Sequence, residues 1–208
     1  MYQNTQHNQR FHNKGSIKNN YNNNKTKYFI NQLKQKKDLT VILDLDNTLI
    51  SSFIFNPNSC ICDFLFPLQE ESKMSMIGVI KRPNVDSFLM TLSSFATIYL
   101  FTSAEREYAS KIISQIDPIG KYFKKVFTRE NCIQTKDNKF KKDYSVCGTD
   151  MSRTIIVDDI PENFKDFANN GIPIRPYQGG LNDNDLTLVL DTIIRLGTLN
   201  DVRTGISF

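Results

Sequence analysis

Three short apolar runs set the frame of the chain. Leu39–Asp44, Thr97–Phe101 and Arg153–Val157 are rich in β-branched and aliphatic residues, as in strands buried on both faces. Between and after them the period changes. Val85–Ser93 and Ala104–Ile116 read as helices, the first preceded by Pro83-Asn84 with Asn84 at the N-cap position. Asn184–Leu196 reads as a third helix, with Leu186, Val189, Leu190, Ile193 and Ile194 on one face. The stretch Ser51–Ile80 has mixed short apolar runs and turn residues, and predicts a small β-rich insertion. Strands alternating with helices predict an α/β fold, a Rossmann-like parallel sheet flanked by helices on both faces. No internal repeat is visible.

The N-terminal region departs from this pattern. Residues 1–27 are rich in Asn, Gln and Lys and poor in apolar residues, a composition that cannot bury enough surface to offset its ordering entropy. Residues 1–37 are therefore expected to be a disordered basic tail, and residues 38–208 the folded domain. The net charge of +4 divides along that boundary, because residues 1–37 hold eight Lys or Arg and no acid. The remainder is net negative and carries no obvious basic stripe, so no direct nucleic-acid contact is expected. The tail's single Arg and many Asn fit a mitochondrial presequence poorly.

No apolar run reaches the length of a membrane span, and none near the N-terminus would serve as a signal peptide. Cys60 and Cys62 are too close together for the usual zinc spacing, and both histidines, His7 and His12, lie in the tail. The cysteines, Cys132 and Cys147 included, read as reduced structural thiols.

In such folds the active site lies at the carboxyl ends of the strands. The first strand ends in Asp44-Leu45-Asp46-Asn47-Thr48, the second in Thr102-Ser103, the third in Asp158-Asp159. Alone, each segment is well explained as a loop or a helix cap. Together they point to phosphoryl chemistry. A carboxylate such as Asp44 can attack phosphorus and divide one hydrolysis into two displacements. Its charge repels a phosphate dianion, so a cation must intervene, and Mg²⁺ takes one or two carboxylates, here Asp44 and Asp158, plus the phosphate. Asp46 can move the proton, and the Thr102 hydroxyl with backbone N–H groups at a helix start suits phosphate oxygens.

On these residues the sequence resembles the FCP/SCP-type domain of small C-terminal-domain phosphatases, also called NLI-interacting-factor-like, of the haloacid dehalogenase superfamily. The resemblance covers about Leu39 to Arg203. It rests on Val41-Ile-Leu-Asp-Leu-Asp-Asn-Thr-Leu49, Lys81-Arg82-Pro83, Leu100-Phe-Thr-Ser-Ala104, Phe127-Thr-Arg-Glu-Asn-Cys132, Phe140-Lys-Lys-Asp-Tyr-Ser145 and Ile156-Val-Asp-Asp159. It implies Asp44 as nucleophile and Asp46 as acid and base. It also implies Mg²⁺ at Asp44, the Asp46 carbonyl and Asp158, with Asp159 close by. Phosphate would be bound by Thr102, Ser103 and Lys142, and Arg129 would lie near the substrate. Lys142 is preferred to Lys141 because it directly precedes Asp143. Asn47 stands where the family commonly has an acid.

Little sequence separates Thr48 from Thr102, which leaves no room for a large cap. An uncapped site would admit a protein side chain, so the expected partner is a phosphoserine or phosphothreonine protein, the RNA polymerase II C-terminal domain among the candidates. A nuclear or cytoplasmic location is expected on that ground alone. Phe53, Phe55, Phe64, Phe66 and Ile77 could wall such a groove, although packing within the insertion explains them better. The alternatives are a binding subunit of the same fold, such as a mitochondrial import component, and a small-molecule phosphatase. The complete set Asp44, Asp46, Thr102, Lys142 and Asp158 favours an enzyme.

Overall fold

The computed structural model describes residues 24–57, 61–70 and 73–206. The expectations for residues 1–23 and for Cys60 lie outside them. Helix α1 (Asn24–Lys36) leads into β1 (Thr40–Leu43), and three more strands follow, β2 (Ile50–Ile54), β3 (Phe64–Glu70) and β4 (Lys73–Lys81). Next come α2 (Val85–Ser93), β5 (Thr97–Phe101), α3 (Arg106–Ile116) and β6 (Phe123–Phe127). A short hairpin of β7 (Ile133–Gln134) and β8 (Phe140–Lys141) precedes β9 (Thr154–Asp158), β10 (Gly171–Pro173) and α4 (Asp185–Gly197).

The main sheet is parallel throughout, in the order β10-β9-β1-β5-β6. Strand β1 is central, and its residues Thr40–Leu43 pair with Thr97–Leu100 on one side and Thr154–Val157 on the other. That level register brings Asp44, Thr102 and Asp158 to one edge of the sheet. The strands are apolar on both faces because both are covered. Val41, Leu43, Ile98, Leu100, Ile155 and Val157 share one cluster with the buried residues of all four α-helices. Ile42, Phe101 and Ile156 share a second with Tyr144, Cys147 and Phe164. Tyr144, Cys147 and Phe164 lie on 3-10 turns, so short turns rather than α-helices cover that face.

Helix α1 departs from the expected disorder through residue 37. Ile30 and Leu33 are buried, and Phe29 packs beside them. A Cβ added to Gly197 would lie 3.0 Å from the Leu33 side chain, so the ends of α1 and α4 touch. Average composition hid this, because a one-sided apolar stripe of three residues suffices once a partner surface is present. Asn84 precedes α2 as expected but does not cap it. Its φ is 70°, its side chain makes no capping bond, and its carbonyl accepts from the Ser87 hydroxyl.

Strands β6 and β10 were not expected. In β6 (Phe-Lys-Lys-Val-Phe) the three central residues face solvent, the charged pattern of a sheet edge rather than of a buried strand. The insertion is a three-stranded antiparallel sheet, β2-β4-β3. Phe66, Leu68 and Ile77 are buried in the main core cluster, so Phe66 and Ile77 chiefly hold the insertion onto the domain.

Candidate active site

The first site loop begins where β1 ends. The Asp44 backbone N–H still donates to the Val157 carbonyl at 2.9 Å, which keeps the residue in the sheet's frame. The chain then turns, with Leu49 N–H bonding back to the Leu45 carbonyl and Asn47 in the left-handed region at φ 56°. Asn is among the few non-glycine residues that adopt that conformation readily. Asp46 is thereby released from the strand alternation, as its position two residues after Asp44 required.

Lys142 lies at the centre of the site. Its Nζ is 2.5 Å from Asp44 Oδ1 and 2.7 Å from Asp158 Oδ2, and all three side chains are buried. Lys141, its neighbour, points away to Asp166 at 2.5 Å on the surface. The structure thus separates two adjacent lysines that the sequence could rank only by position. Asp158 is also fixed by the Ile160 N–H at 2.9 Å, Asn163 Nδ2 at 2.9 Å and the Tyr144 hydroxyl at 3.1 Å. Thr48 Oγ1 donates to Asp44 Oδ2 at 3.4 Å.

Burial governs the protonation of these groups. It pushes the Asp44 carboxyl up to about 7, with Lys142 pulling it down and Asp158 pushing it further up. For Lys142, burial opposes the charge, but Asp44 and Asp158 together outweigh it and hold the ammonium above its ordinary range. Asp46 is also raised by burial, against the opposing hydrogen bond from Tyr108. That hydroxyl donates to Asp46 Oδ1 and sits 2.7 Å from Ser52 Oγ. Burial and the Asp46 charge raise Tyr108 itself, so it remains a hydrogen-bond donor.

Thr102 is buried at the end of β5, and its N–H is held by the Phe127 carbonyl of β6. Its Oγ1 accepts from the Ala104 N–H at 3.1 Å. Helix α3 starts at Arg106, two residues later than expected, so the Ala104 N–H serves Thr102 rather than standing at a helix terminus. Ser103 is exposed, and its carbonyl accepts from Arg129 Nε at 2.9 Å. Arg129 is paired with Glu105 at 2.7 Å and lies over the Phe140 ring, 4.9 Å from its centroid.

Asp159 is half-buried beside Asp158. Asp44, Asp158 and Asp159 each offer a carboxylate oxygen, and these atoms lie within 4.8 Å of one another. No other such acidic, His or Cys cluster occurs among the described residues. An all-oxygen donor set with net negative charge fits a hard divalent cation and does not fit the N/S preference of structural zinc. Two buried aspartates and a half-buried third, so gathered, could hold Mg²⁺.

An open cavity of about 900 Å³ leads to Asp46, with Tyr108, Ser103, Arg129 and the insertion residues Phe53 and Ile77 among its walls. Phe53 and Ile77 therefore do face the groove. Tyr108, Tyr144, Asn163 and Ser52 were not singled out as site residues from sequence. Tyr108, three residues after Glu105 in the first turn of α3, carried a signal only in its match to the family's helix. The others become neighbours only through folding.

The chain belongs to the NLI interacting factor-like phosphatase family, whose model matches residues 39–203. It is 29% identical over 164 residues to human carboxy-terminal domain RNA polymerase II polypeptide A small phosphatase 1, covering 79% of this chain and 61% of that protein. It is 35% identical over 167 residues to a probable C-terminal domain small phosphatase of Dictyostelium discoideum, covering 79% of this chain and 52% of the relative. The chain thus spans little more than half the length of these relatives. The structure is similar in fold to a fission yeast RNA polymerase II CTD phosphatase, an Fcp1 variant bound to beryllium fluoride. The TM-score is 0.58 with 22% identity, covering 83% of this chain and 53% of the other. The fold expected from sequence, a haloacid-dehalogenase-like parallel sheet with a small β insertion, is the fold found. No described helix is long and apolar enough to cross a membrane.

Proposed function

We propose that this chain is a Mg²⁺-dependent protein serine/threonine phosphatase working through an aspartyl-phosphate on Asp44. The observation that carries the reading is the buried triangle of Asp44, Lys142 and Asp158 at the carboxyl ends of the central strands. Asp44, Asp158 and the Asp46 carbonyl would hold Mg²⁺, with Asp159 beside them, and the ion would neutralise phosphate charge as the carboxylate approaches.

In the first step an Asp44 carboxylate oxygen bonds to phosphorus as the bond to the seryl or threonyl oxygen breaks. Asp46 gives that leaving oxygen its proton. In the second step water attacks the aspartyl-phosphate, its proton passes to Asp46, and Asp44 is regenerated with inorganic phosphate. Lys142 and Thr102 stabilise phosphate oxygens, with Ser103 at the rim, and Arg129 meets the substrate at the cavity mouth. The raised Asp46 pKa supports its alternation between acid and base.

The open cavity and the small insertion in place of a cap support a protein substrate. The names of its relatives, phosphatases of the RNA polymerase II C-terminal domain, support the same reading of a phosphorylated polymerase tail or a similar phosphoprotein. The test is phosphate release from p-nitrophenyl phosphate with Mg²⁺, abolished by chelator. Asp44→Asn is expected to lower turnover by about a thousandfold or more. Wild-type turnover in that variant would refute the nucleophile, and preference for sugar phosphates over a phosphopeptide panel would refute the substrate class.

A further inference from the structure

We propose that Arg82, held by Asp183 and Asp185 from the start of α4, is a positioning residue that fixes the turn after Asp44. The inference deepens the phosphatase reading and rests on Asp44 being the nucleophile.

Arg82 is 1% exposed and lies behind the site loop. All five of its side-chain N–H groups are engaged. Nε and Nη2 grip Asp183 at 2.8 Å each, and Nη2 also reaches Asp185 at 3.1 Å. Nη1 donates to the carbonyls of Asn47 at 3.3 Å and Thr48 at 3.2 Å. The guanidinium also lies 5.4 Å from the Tyr177 ring centroid. Only a planar fork of donors can grip a carboxylate on one side and two adjacent carbonyls on another.

A buried charge is costly unless paired, and two carboxylates exceed what one arginine needs. The second is shared with Arg175, whose Nη2 is 2.6 Å from Asp185. The four charges balance, and the network reaches the surface through Arg175.

The same C-terminal segment holds both site loops by its backbone. Ile174 N–H donates to the Asp158 carbonyl at 3.2 Å, and Tyr177 N–H donates to the Asn47 carbonyl at 2.7 Å. Arg82 N–H takes the Leu49 carbonyl at 3.0 Å. The turn so pinned carries Asp46 and Thr48, the two residues that serve the nucleophile. Its left-handed Asn47 gives it no regular ladder of its own. A small displacement here would move proton donor and nucleophile relative to each other, which is the kind of error that costs rate rather than binding.

The experiment compares wild type with Arg82→Lys and Asp183→Asn. Amide exchange by NMR reads Leu49, Ile50 and Tyr177 against Ile42 and Leu43 of β1 as an internal control. Both variants are expected to speed exchange at the three turn probes by about tenfold or more, with the β1 amides unchanged. On p-nitrophenyl phosphate, kcat is expected to fall about tenfold or more while KM stays within about twofold. The milder Asp183→Asn, which keeps Asp185, serves if Arg82→Lys does not fold. Unchanged turn exchange in a folded variant overturns the inference, as does a loss of kcat that merely tracks the unfolded fraction. An inactive wild type whose turn loosens as expected would refute the phosphatase reading and leave the positioning role standing.

Discussion

Removing one oxygen from Tyr108 tests the division of labour between the two aspartates. In Tyr108→Phe the ring remains against Phe66, 5.9 Å between centroids, so packing is conserved. Asp46 loses its donor and Ser52 loses its partner. Hydrogen bonds to charged groups are worth about 1.5–3 kcal/mol, so roughly tenfold to a hundredfold in kcat is at stake. Stability should suffer less, because Asp46 borders the open cavity and solvent can take the vacated place.

The pH profile gives the sign. Burial raises the Asp46 pKa and the Tyr108 hydrogen bond opposes that rise. Without the bond the carboxyl keeps its proton to higher pH. The acid limb of kcat, where Asp46 must accept a proton from water, therefore moves upward. The assay is kcat and KM on an aryl phosphate across about pH 5–8, above the ordinary carboxylate range, with saturating Mg²⁺. A variant with kcat within about twofold of wild type and an unmoved limb would refute the proton-transfer role of Asp46 as oriented by Tyr108.

Two further outcomes are expected. Asp44 is raised from an ordinary 3.8 to about 7, so without metal the native state binds more protons than the unfolded chain between those values. Stability in chelator should therefore fall as pH rises through that window, and added Mg²⁺ should raise Tm more at pH 7.5 than at pH 5, as thermal melts would show. Leu33→Ala removes a buried side chain from the contact of α1 with α4 and should cost about 2–5 kcal/mol in denaturant unfolding. A change under about 0.5 kcal/mol would show that α1 does not dock in solution.

Much of the architecture was legible because the signals were local. Leu39–Asp44, Thr97–Phe101 and Arg153–Val157 are apolar on both faces, and only a doubly covered strand has use for that. Helix α4 carried its stripe at Leu186, Val189, Leu190, Ile193 and Ile194, all buried as expected. Strand β6 was hidden by its lysines, because an edge strand need not be apolar. Helix α1 was hidden by a composition that describes its solvent face, while Ile30 and Leu33 took their meaning from Gly197, more than 160 residues away.

The sequence by itself determined which chemistry was available. Asp44, Asp46, Thr102 and Asp158 fall just after or at the ends of apolar runs, and a parallel sheet gathers such ends on one edge. For the two lysines, position before Asp143 favoured Lys142, and tertiary structure supplied the physical difference: Lys142 lies between Asp44 and Asp158, while Lys141 meets Asp166 at the surface. Tertiary structure alone brought Tyr108 to Asp46 and Arg82 to the carbonyls of Asn47 and Thr48. The physical reason is the same in each case. A strand end is fixed by short-range pattern, but a side chain's partner is fixed by which distant segment closes over it, and desolvation sets its charge only after that closure.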